Sequence, residues 1–356
     1  MPKLKTDSIR EVAKQAGVST ATVSRVFNAP ELISASTRER VLETADRLNY
    51  HPLRARQRAP LDVNAKGVSP NEKGFIGFQF FSESSTDLLQ ANAFYAPLLA
   101  SAQSTAAKLG LHLLVNTIDR HQLTKKLPKM VREQTVSGML LVGTAEPEIL
   151  ALFSENVPQI ILVDYRDPTN RHDCILSDGL GGALAATKYL FGLGHTRIAF
   201  LRDNALPLSF RDRLRGFVCA HYEAGRSIDP RLVVTASSEE NTLCVLSALL
   251  SLECRPTALL AANDYQALIV MQVCRQLGLN IPRDLSLIGF DDIKFSADTR
   301  PPLTTVRVPK EQIGRLAVTR LDERLRTSDN SLALMPPVIL EVPTSLIVRE
   351  SCQKLF

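Results

Sequence analysis

No run in this 356-residue chain approaches the ~20 consecutive apolar residues that a membrane-spanning helix requires. The opening stretch, Met1 to Arg10, is polar and has no apolar core of the kind a secretory signal needs. Neither a membrane protein nor an exported one is expected. The six cysteines (Cys174, Cys219, Cys244, Cys254, Cys274 and Cys352) form no Cys-x-x-C pair and do not pair with histidines. No metal site or disulfide framework is therefore expected, and scattered thiols suit a reducing cytoplasm. Also missing are a Gly-x-Gly-x-x-Gly loop, a P-loop, a Gly-x-Ser-x-Gly elbow and His/Cys sets at metal spacing. Dinucleotide, phosphoryl-transfer, serine-hydrolase and metal chemistry thus lack their usual signatures. Neither an enzyme nor a cofactor is expected. Gly179 to Gly182 opens a helical pattern with glycines, which is weak evidence for phosphate binding.

What is present is ordinary in bulk: 45% hydrophobic and 22% charged residues describe a folded globular chain long enough for a small domain plus a two-lobed body. The charge is informative once located. Residues 1–58 carry 11 Lys or Arg against 6 Asp or Glu; chain totals of 42 and 37 leave 31 of each sign in the remainder. The whole basic excess of five lies in the first sixth of the chain, which favours a polyanion partner for that segment.

That segment reads as three short helices. Ser8-Ile9-Arg10-Glu11 is a capping box, and Ile9, Val12, Ala13 and Ala16 make one apolar stripe before Gly17 stops the helix. Ser19 caps a second helix with Val23, Val26 and Phe27 inward and Thr20, Ala21, Ser24, Arg25 and Asn28 outward. A third begins at the box Ser36-Thr37-Arg38-Glu39 and buries Val41, Leu42, Ala45 and Leu48. With only Gly17-Val18 between the first two, the unit is a helix-turn-helix, which lays the start of its second helix in the major groove. An arginine can bond a guanine edge twice, threonine can bond a base or touch a thymine methyl, and alanine offers apolar contact. Ser19, Thr22, Ser24 and Asn28 suit phosphate contacts, which set register without reading sequence. The helical pattern alone fits a plain three-helix bundle with a solvated face equally well.

The string Ile9 to Asn28 (IREVAKQAGVSTATVSRVFN), continued by Ser36 to Leu42 and by Leu48-Asn49-Tyr50-His51-Pro52, closely resembles the head of the lactose/galactose repressor (LacI/GalR) family of transcriptional regulators. The resemblance implies that Thr20 and Ala21 occupy the two specificity positions and Arg25 the recurrent base-contacting arginine. The linker departs from the family pattern. Relatives follow the Tyr-x-Pro element with Asn, an Ala-Arg pair and a leucine, forming a hinge helix whose leucine wedges into the minor groove. Here the run is Leu53-Arg54-Ala55-Arg56-Gln57-Arg58-Ala59-Pro60, with Ala59 at the wedge position and a proline that ends any helix. Leu61 is a substitute wedge beyond that proline. Arg54, Arg56 and Arg58 are either a phosphate-binding arm or solvated charge; a basic tract beside a DNA-reading head favours the arm. Asp62 to Lys73 reads as flexible linker.

From Gly74 short apolar runs alternate with helical patterns, the signature of parallel α/β layers. Strands are expected at Phe75 to Phe81, Leu111 to Val115, Gly138 to Val142 and Gln159 to Val163. A second set falls at Arg197 to Leu201, Leu232 to Thr235, Ala258 to Ala262 and Leu285 to Phe290. The expected fold is an N-terminal all-α helix-turn-helix head plus an α/β body of two doubly wound parallel-sheet lobes, periplasmic-binding-protein-like. The boundaries are 1–52 for the head, 53–73 for the hinge and linker, and 74–356 for an effector-binding and dimerisation domain. Its first lobe is about 74–174 plus 307–335 and its second about 175–306 plus 336–356, with the strand Val338 to Val342 leading back to the second lobe.

Open parallel sheets bind ligands beyond the carboxyl ends of their strands. There Asp164 and Tyr165 follow Val163, Asn263 and Asp264 follow Ala262, and Asp291 and Asp292 follow Phe290. Such acids and an amide suit a ligand with several hydroxyl or amine donors, whereas Asp264 and Asp292 read better as caps of the helices after them. The family resemblance continues here through Ser177-Asp178-Gly179 to Ala183, Gly194-His195-Thr196-Arg197, Ser209 with Arg213-Leu214-Arg215-Gly216-Phe217, Ile281 to Asp292, and Pro302 to Val306. It implies effector contacts from Arg213, Asn263 and Asp291, with Asp164 and Asp178 beside them and Phe94-Tyr95 as the aromatic pair of the first lobe. Phe94 and Tyr95 fit equally as core aromatics at a helix start, and His195 fits a structural turn better than a catalytic base. No leucine heptad follows Cys352, so no tetramerising tail of the kind some relatives carry is expected.

The implied function is a cytoplasmic, homodimeric, sequence-specific DNA-binding regulator, in the family's common mode a repressor. Its partners are a pseudo-palindromic double-stranded operator and a small-molecule effector, with no membrane. Sugars or sugar derivatives are the family's commonest effectors; a nucleoside or nucleobase is the alternative. A solute-binding protein is argued against by the head and the missing signal, and a sugar-metabolising enzyme by the missing motifs.

Overall fold

The computed structural model describes residues 9–28, 33–48, 74–82, 89, 92–119, 127–143, 147–202, 208–327 and 335–355. The Ser8 cap and the 53–73 linker, with Arg54, Arg56, Arg58 and Leu61, lie outside the described residues. So do the side chains of Ile9, Glu11, Phe27, Asn28 and Ser209. The chain divides into two compact units, Met1–Val68 and Ser69–Phe356.

The first unit holds α1 (Ile9–Ala16), α2 (Thr20–Asn28) and α3 (Ala35–Arg47). Val12, Ala13, Ala16, Val23, Val26, Val41 and Ala45 form its buried core. Gly17 takes φ +64°, the left-handed conformation glycine tolerates best, which lets the Val18 amide reach back to the Ala13 carbonyl at 3.0 Å. The third helix starts earlier than its sequence suggests. The Ser34 carbonyl accepts the Arg38 amide at 2.9 Å and its hydroxyl bonds Thr37, so Ser34 rather than Ser36 stands at the helix entrance. Leu42 is 38% exposed, because the inward stripe runs through Val41, Thr44, Ala45 and Leu48, and Leu42 falls outside it.

The second unit begins with β1 (Phe75–Ser82), α4 (Tyr95–Lys108), β2 (His112–Asp119), α5 (Lys129–Arg132), β3 (Met139–Val142), α6 (Pro147–Asn156), β4 (Ile160–Val163) and β5 (Asp173–Ser177). It continues with α7 (Gly179–Gly192), β6 (Ile198–Arg202), α8 (Leu208–Glu223), β7 (Val233–Thr235), α9 (Glu239–Leu250), β8 (Ala258–Ala261), α10 (Asp264–Gln276), β9 (Ser286–Asp291), α11 (Lys294–Asp298) and β10 (Thr304–Arg307). The last elements are α12 (Lys310–Arg326), β11 (Ile339–Val342) and β12 (Ser345–Ile347). Two six-stranded sheets result, ordered β11-β5-β4-β3-β1-β2 and β12-β10-β9-β8-β6-β7. All pairs are parallel except β10 with β12. Central strands such as β3, β4 and β8 are buried throughout, as continuous Leu/Ile/Val/Ala runs covered by helices on both faces must be.

Two strands sit differently from the sequence expectation. β11, expected to lead back into the second lobe, is the edge of the first sheet, paired in parallel with β5. β5 itself straddles the expected lobe boundary at 174/175 and belongs wholly to the first sheet. The chain therefore crosses between lobes after Ser177, after Arg307 and after Val342. The reason is an ion cluster: Asp173 at the head of β5 is 2% exposed and takes Arg320 Nε at 2.7 Å, Arg324 Nε at 2.8 Å and the Val338 amide at 2.6 Å. Those bonds dock α12 and the entry to β11 onto β5.

Candidate functional site

In the head, the Ser19 hydroxyl accepts the Thr22 amide at 3.0 Å and meets the Thr22 hydroxyl at 2.9 Å, capping α2. Thr20, Ala21 and Arg25 are exposed on that helix, and Ala21 and Arg25 stand one turn apart on one face. Thr22 and Ser24 are half-buried beside it. Asn28 closes the helix. Arg47 of α3 bonds the Gln15 side chain at 3.1 Å, bracing α1 without using the α2 face.

In the second unit, the ends of β4, β8 and β9 bring acids and an arginine together. Arg213, on α8, is 3% exposed. Its guanidinium donates to the Ala262 carbonyl and, at 2.9 Å, to Asp291 Oδ1. It also lies 3.9 Å from the Phe290 ring centre and 4.5 Å from that of Phe210. Its Nε is buried without a hydrogen-bond partner, an unmet donor in the middle of the cluster. Asp291 is 5% exposed; burial pushes its carboxyl up to about 6, against the pull of Arg213 and Lys310. Asp164 comes from the other lobe, at the end of β4, and accepts the Tyr95 hydroxyl at 2.8 Å. Burial raises its pKa as well, opposed by the Arg213 charge and the Tyr95 bond. Tyr95 packs edge-on against Phe94, with ring centres 4.8 Å apart. Asp164, Asp291 and Asp292 all take positive φ (58°, 112° and 50°), a conformation that costs a non-glycine residue about 1–3 kcal/mol and persists only where the surroundings enforce it.

Of the residues singled out from sequence, Arg213, Asp291, Asp164, Tyr95 and Phe94 therefore belong to one cluster. Asn263 borders it through Ala262, but its side chain caps α10, accepting the Gln266 amide at 2.8 Å. Asp178 caps α7 through the Gly181 amide at 2.7 Å. It also sits at a crossover, bonded to Val342 and Thr344. Asp264 and Asp292, expected as helix caps, are not. Asp264 is buried and accepts from Thr305, Ser296 and the Ile293 amide, and burial together with the Asp291 charge raises it to about 7. Asp292 pairs with Arg307 at 2.7 Å and Arg349 at 2.6 Å. Asn263 already fills the α10 cap, and α11 is entered at Ile293 without a side-chain cap. His195 has both ring nitrogens engaged, by Thr257 at 2.9 Å and the Gln353 carbonyl at 3.1 Å, and is buried.

Sequence reasoning passed over three side chains here: Phe210, Tyr265 and Lys310. Phe210 stands one helical turn before Arg213, a spacing that signals a shared face. The Tyr265 hydroxyl accepts the Ala93 amide of the other lobe at 3.0 Å. Lys310 opens α12 and is 6% exposed, although no motif in the sequence singles it out.

A helix-turn-helix head and a body of two periplasmic-binding-protein-like lobes, with charged groups from both lobes gathered around one arginine, define an effector-binding transcription regulator. The model of bacterial regulatory proteins of the lacI family matches residues 8–53, and that of a periplasmic binding protein-like domain matches residues 187–352. The HTH-type transcriptional repressor PurR of Aliivibrio fischeri (strain MJ11) is 31% identical over 97% of this chain and 98% of its own length. PurR of Vibrio vulnificus (strain CMCP6) is 30% identical over 98% and 99%. Among solved structures, a CelR–cellobiose complex covers 97% of this chain and all of its own at TM-score 0.68 and 27% identity. The lac repressor dimer bound to operator and the anti-inducer ONPF covers 98% and 100% at TM-score 0.65 and 27% identity. The chain belongs to the lacI family of bacterial regulatory proteins, as a DNA-binding repressor with an effector-binding domain. Among the described residues no helix is long and apolar enough to cross a membrane.

Proposed function

We propose that this protein is a cytoplasmic, non-catalytic repressor whose homodimer reads a pseudo-palindromic operator and whose operator affinity is set by a small metabolite at the Arg213 cluster. One observation carries the reading: Asp291 of the second lobe pairs with Arg213 while Tyr265 of that lobe bonds the Ala93 amide beside the first lobe's Phe94, Tyr95 and Asp164, so a ligand there feels the lobe separation. Effector and operator then change each other's affinity by the same factor. Two carboxyls, a guanidinium with an unmet N–H and aromatic faces suit a sugar or sugar derivative. A planar nucleobase is the second reading, favoured by the stacked ring faces around Arg213 and by the PurR name shared by full-length relatives. A thermal-shift screen across sugars, sugar phosphates, nucleosides and nucleobases tests this. A binder of the folded state raises Tm by mass action, and a hit must also change operator affinity in a fluorescence-anisotropy titration. A ligand that is turned over rather than merely bound would sink the repressor reading.

At the head, Thr20, Ala21 and Arg25 are assigned to base edges, and Ser19, Thr22, Ser24 and Asn28 with the linker's Arg54 and Arg56 to phosphates. Arg25→Ala is expected to weaken operator binding by about 1–3 kcal/mol while scarcely affecting random DNA, as loss of a bidentate guanine contact would. Equal losses on both DNAs would reassign Arg25 to the backbone.

A further inference from the structure

Lys310 is a buried cation that the effector reading leaves without a task. Its ammonium donates to the carbonyls of Asp291 at 2.5 Å, Asp292 at 3.1 Å and Val308 at 3.3 Å, and it lies 5.8 Å from the Phe94 ring centre. Asp291 and Asp292 are the strained pair on β9's exit, and their positive φ values turn both carbonyls toward this one ammonium. Burial pulls Lys310 below its ordinary pKa, while the charges of Asp291 and Asp292 oppose that shift. The lysine opens α12, which is anchored on the first lobe. The Ser101 hydroxyl of α4 donates to the Glu311 carbonyl at 2.6 Å, and Gly314 passes so close to the Leu98 carbonyl that a Cβ would overlap it. The other two crossovers are tied separately, by the Asp178 amide to Val342 at 2.9 Å and by Thr344 to the Asp178 carbonyl at 3.0 Å.

We infer that Lys310 is a positioning residue of the cleft: it holds the Asp291–Asp292 turn so that the Asp291 carboxylate meets Arg213, and it fastens that turn to the first lobe's α12. Among the described residues the turn is otherwise held by Arg213, Arg307, Arg349 and the Thr305 hydroxyl of the second lobe and by the Val308 amide on the crossover. Lys310 is therefore where a change at Asp291 is felt by the first lobe's framework. Its consequence for signalling rests on the effector reading above; the fastening itself does not.

Hydrogen–deuterium exchange resolved to single amides, on the full chain with no ligand added, tests the fastening. Two amides report on it: Ala93, held across the lobes by Tyr265, and Val308, whose N–H reaches the Asp291 carbonyl. In Lys310→Met both are expected to exchange about tenfold faster, the scale of losing a charge-assisted bond, while amides of α4 and β3 keep their wild-type rates. Lys310→Arg, which restores donors to the carbonyls, should return both to within about twofold of wild type. Should the methionine variant fail to fold, Lys310→Gln keeps two uncharged N–H donors in place of three charged ones and is expected to show about threefold acceleration at the same two amides. Unchanged rates at Ala93 and Val308 overturn the inference. A uniform rise across α4, β3 and α12 does so too, because it would make Lys310 a general stabiliser. The ligand screen bears on the effector reading alone, so the two can fail independently.

Discussion

Arg213→Ala is expected to abolish the effector response and to cost about 3–5 kcal/mol of stability at neutral pH, the usual penalty for orphaning a buried charge. The substitution strips Asp291 of its salt-bridge partner and leaves the Ala262 carbonyl without the Arg213 donor. It also removes the cation that Phe290 and Phe210 face. The cost should depend on pH in a direction the site dictates. The Asp291 carboxyl already stands at about 6 with Arg213 pulling it down, so without Arg213 it rises further. For a carboxyl raised above its unfolded value of 3.8, the folded state binds the extra proton and loses stability as pH climbs toward the folded pKa. Near pH 5 both proteins hold Asp291 protonated, and the gap shrinks to lost packing and hydrogen bonds. Toward pH 8 the wild type holds the ion with Arg213 and Lys310 while the variant keeps the Lys310 charge alone, and the gap widens. Urea melts at several pH values read the gap, and calorimetry with a screened ligand reads the binding. A gap flat in pH would remove Asp291 from the explanation, and unchanged ligand affinity would remove Arg213 from the effector site.

Asp173→Asn is the second large effect, expected at about 3 kcal/mol, the lower end of the range for breaking a buried ion pair. For a unit of this size that lowers Tm by roughly 5–10 °C. The lower end applies because the stranded arginines keep other partners: Glu323 for Arg320, and the Met335 and Pro336 carbonyls for Arg324. Here the linkage runs the other way. Burial pushes the Asp173 carboxyl up, but hydrogen bonds from Arg324, Arg320 and the Val338 amide together outweigh it and hold it below 3.8. Its stabilisation is therefore fully present above pH 3.8 and drains away as pH falls through the lower folded value. The difference in Tm between wild type and Asp173→Asn should hold steady above pH 3.8 and narrow as pH falls below it. A difference that persists there would assign the loss to shape and neutral hydrogen bonds rather than charge.

These two aspartates differ in how much of their surroundings a sequence can signal. The strand-end position of Asp291 was legible because it follows an uninterrupted apolar run, and the surrounding string resembles a known family; its pairing with Arg213 is what the structure adds. Asp173 carried no such signal. It precedes a short apolar run, and its partners Arg320 and Arg324 lie 147 and 151 positions away. The misplaced β11 follows from the same distance: which sheet takes an edge strand depends on ion pairs that no local pattern encodes. Asp264 and Asp292 were read as caps for a related reason. A carboxylate at a strand end looks the same in sequence whether the next helix needs it or a neighbouring strand supplies its partners.

The sequence by itself determined the regulator's head, because cap residues, a left-handed glycine and apolar positions three and four apart act within a few residues of one another. It also determined the two-sheet body, because uninterrupted apolar strands can be buried only between layers of helices. The tertiary structure decided how the lobes are stitched and how the cleft is set. It alone brought Arg213 to Asp291 and set the Lys310 ammonium against the carbonyls of the strained Asp291–Asp292 turn. Those outcomes depend on which charges meet after the chain has crossed between sheets three times.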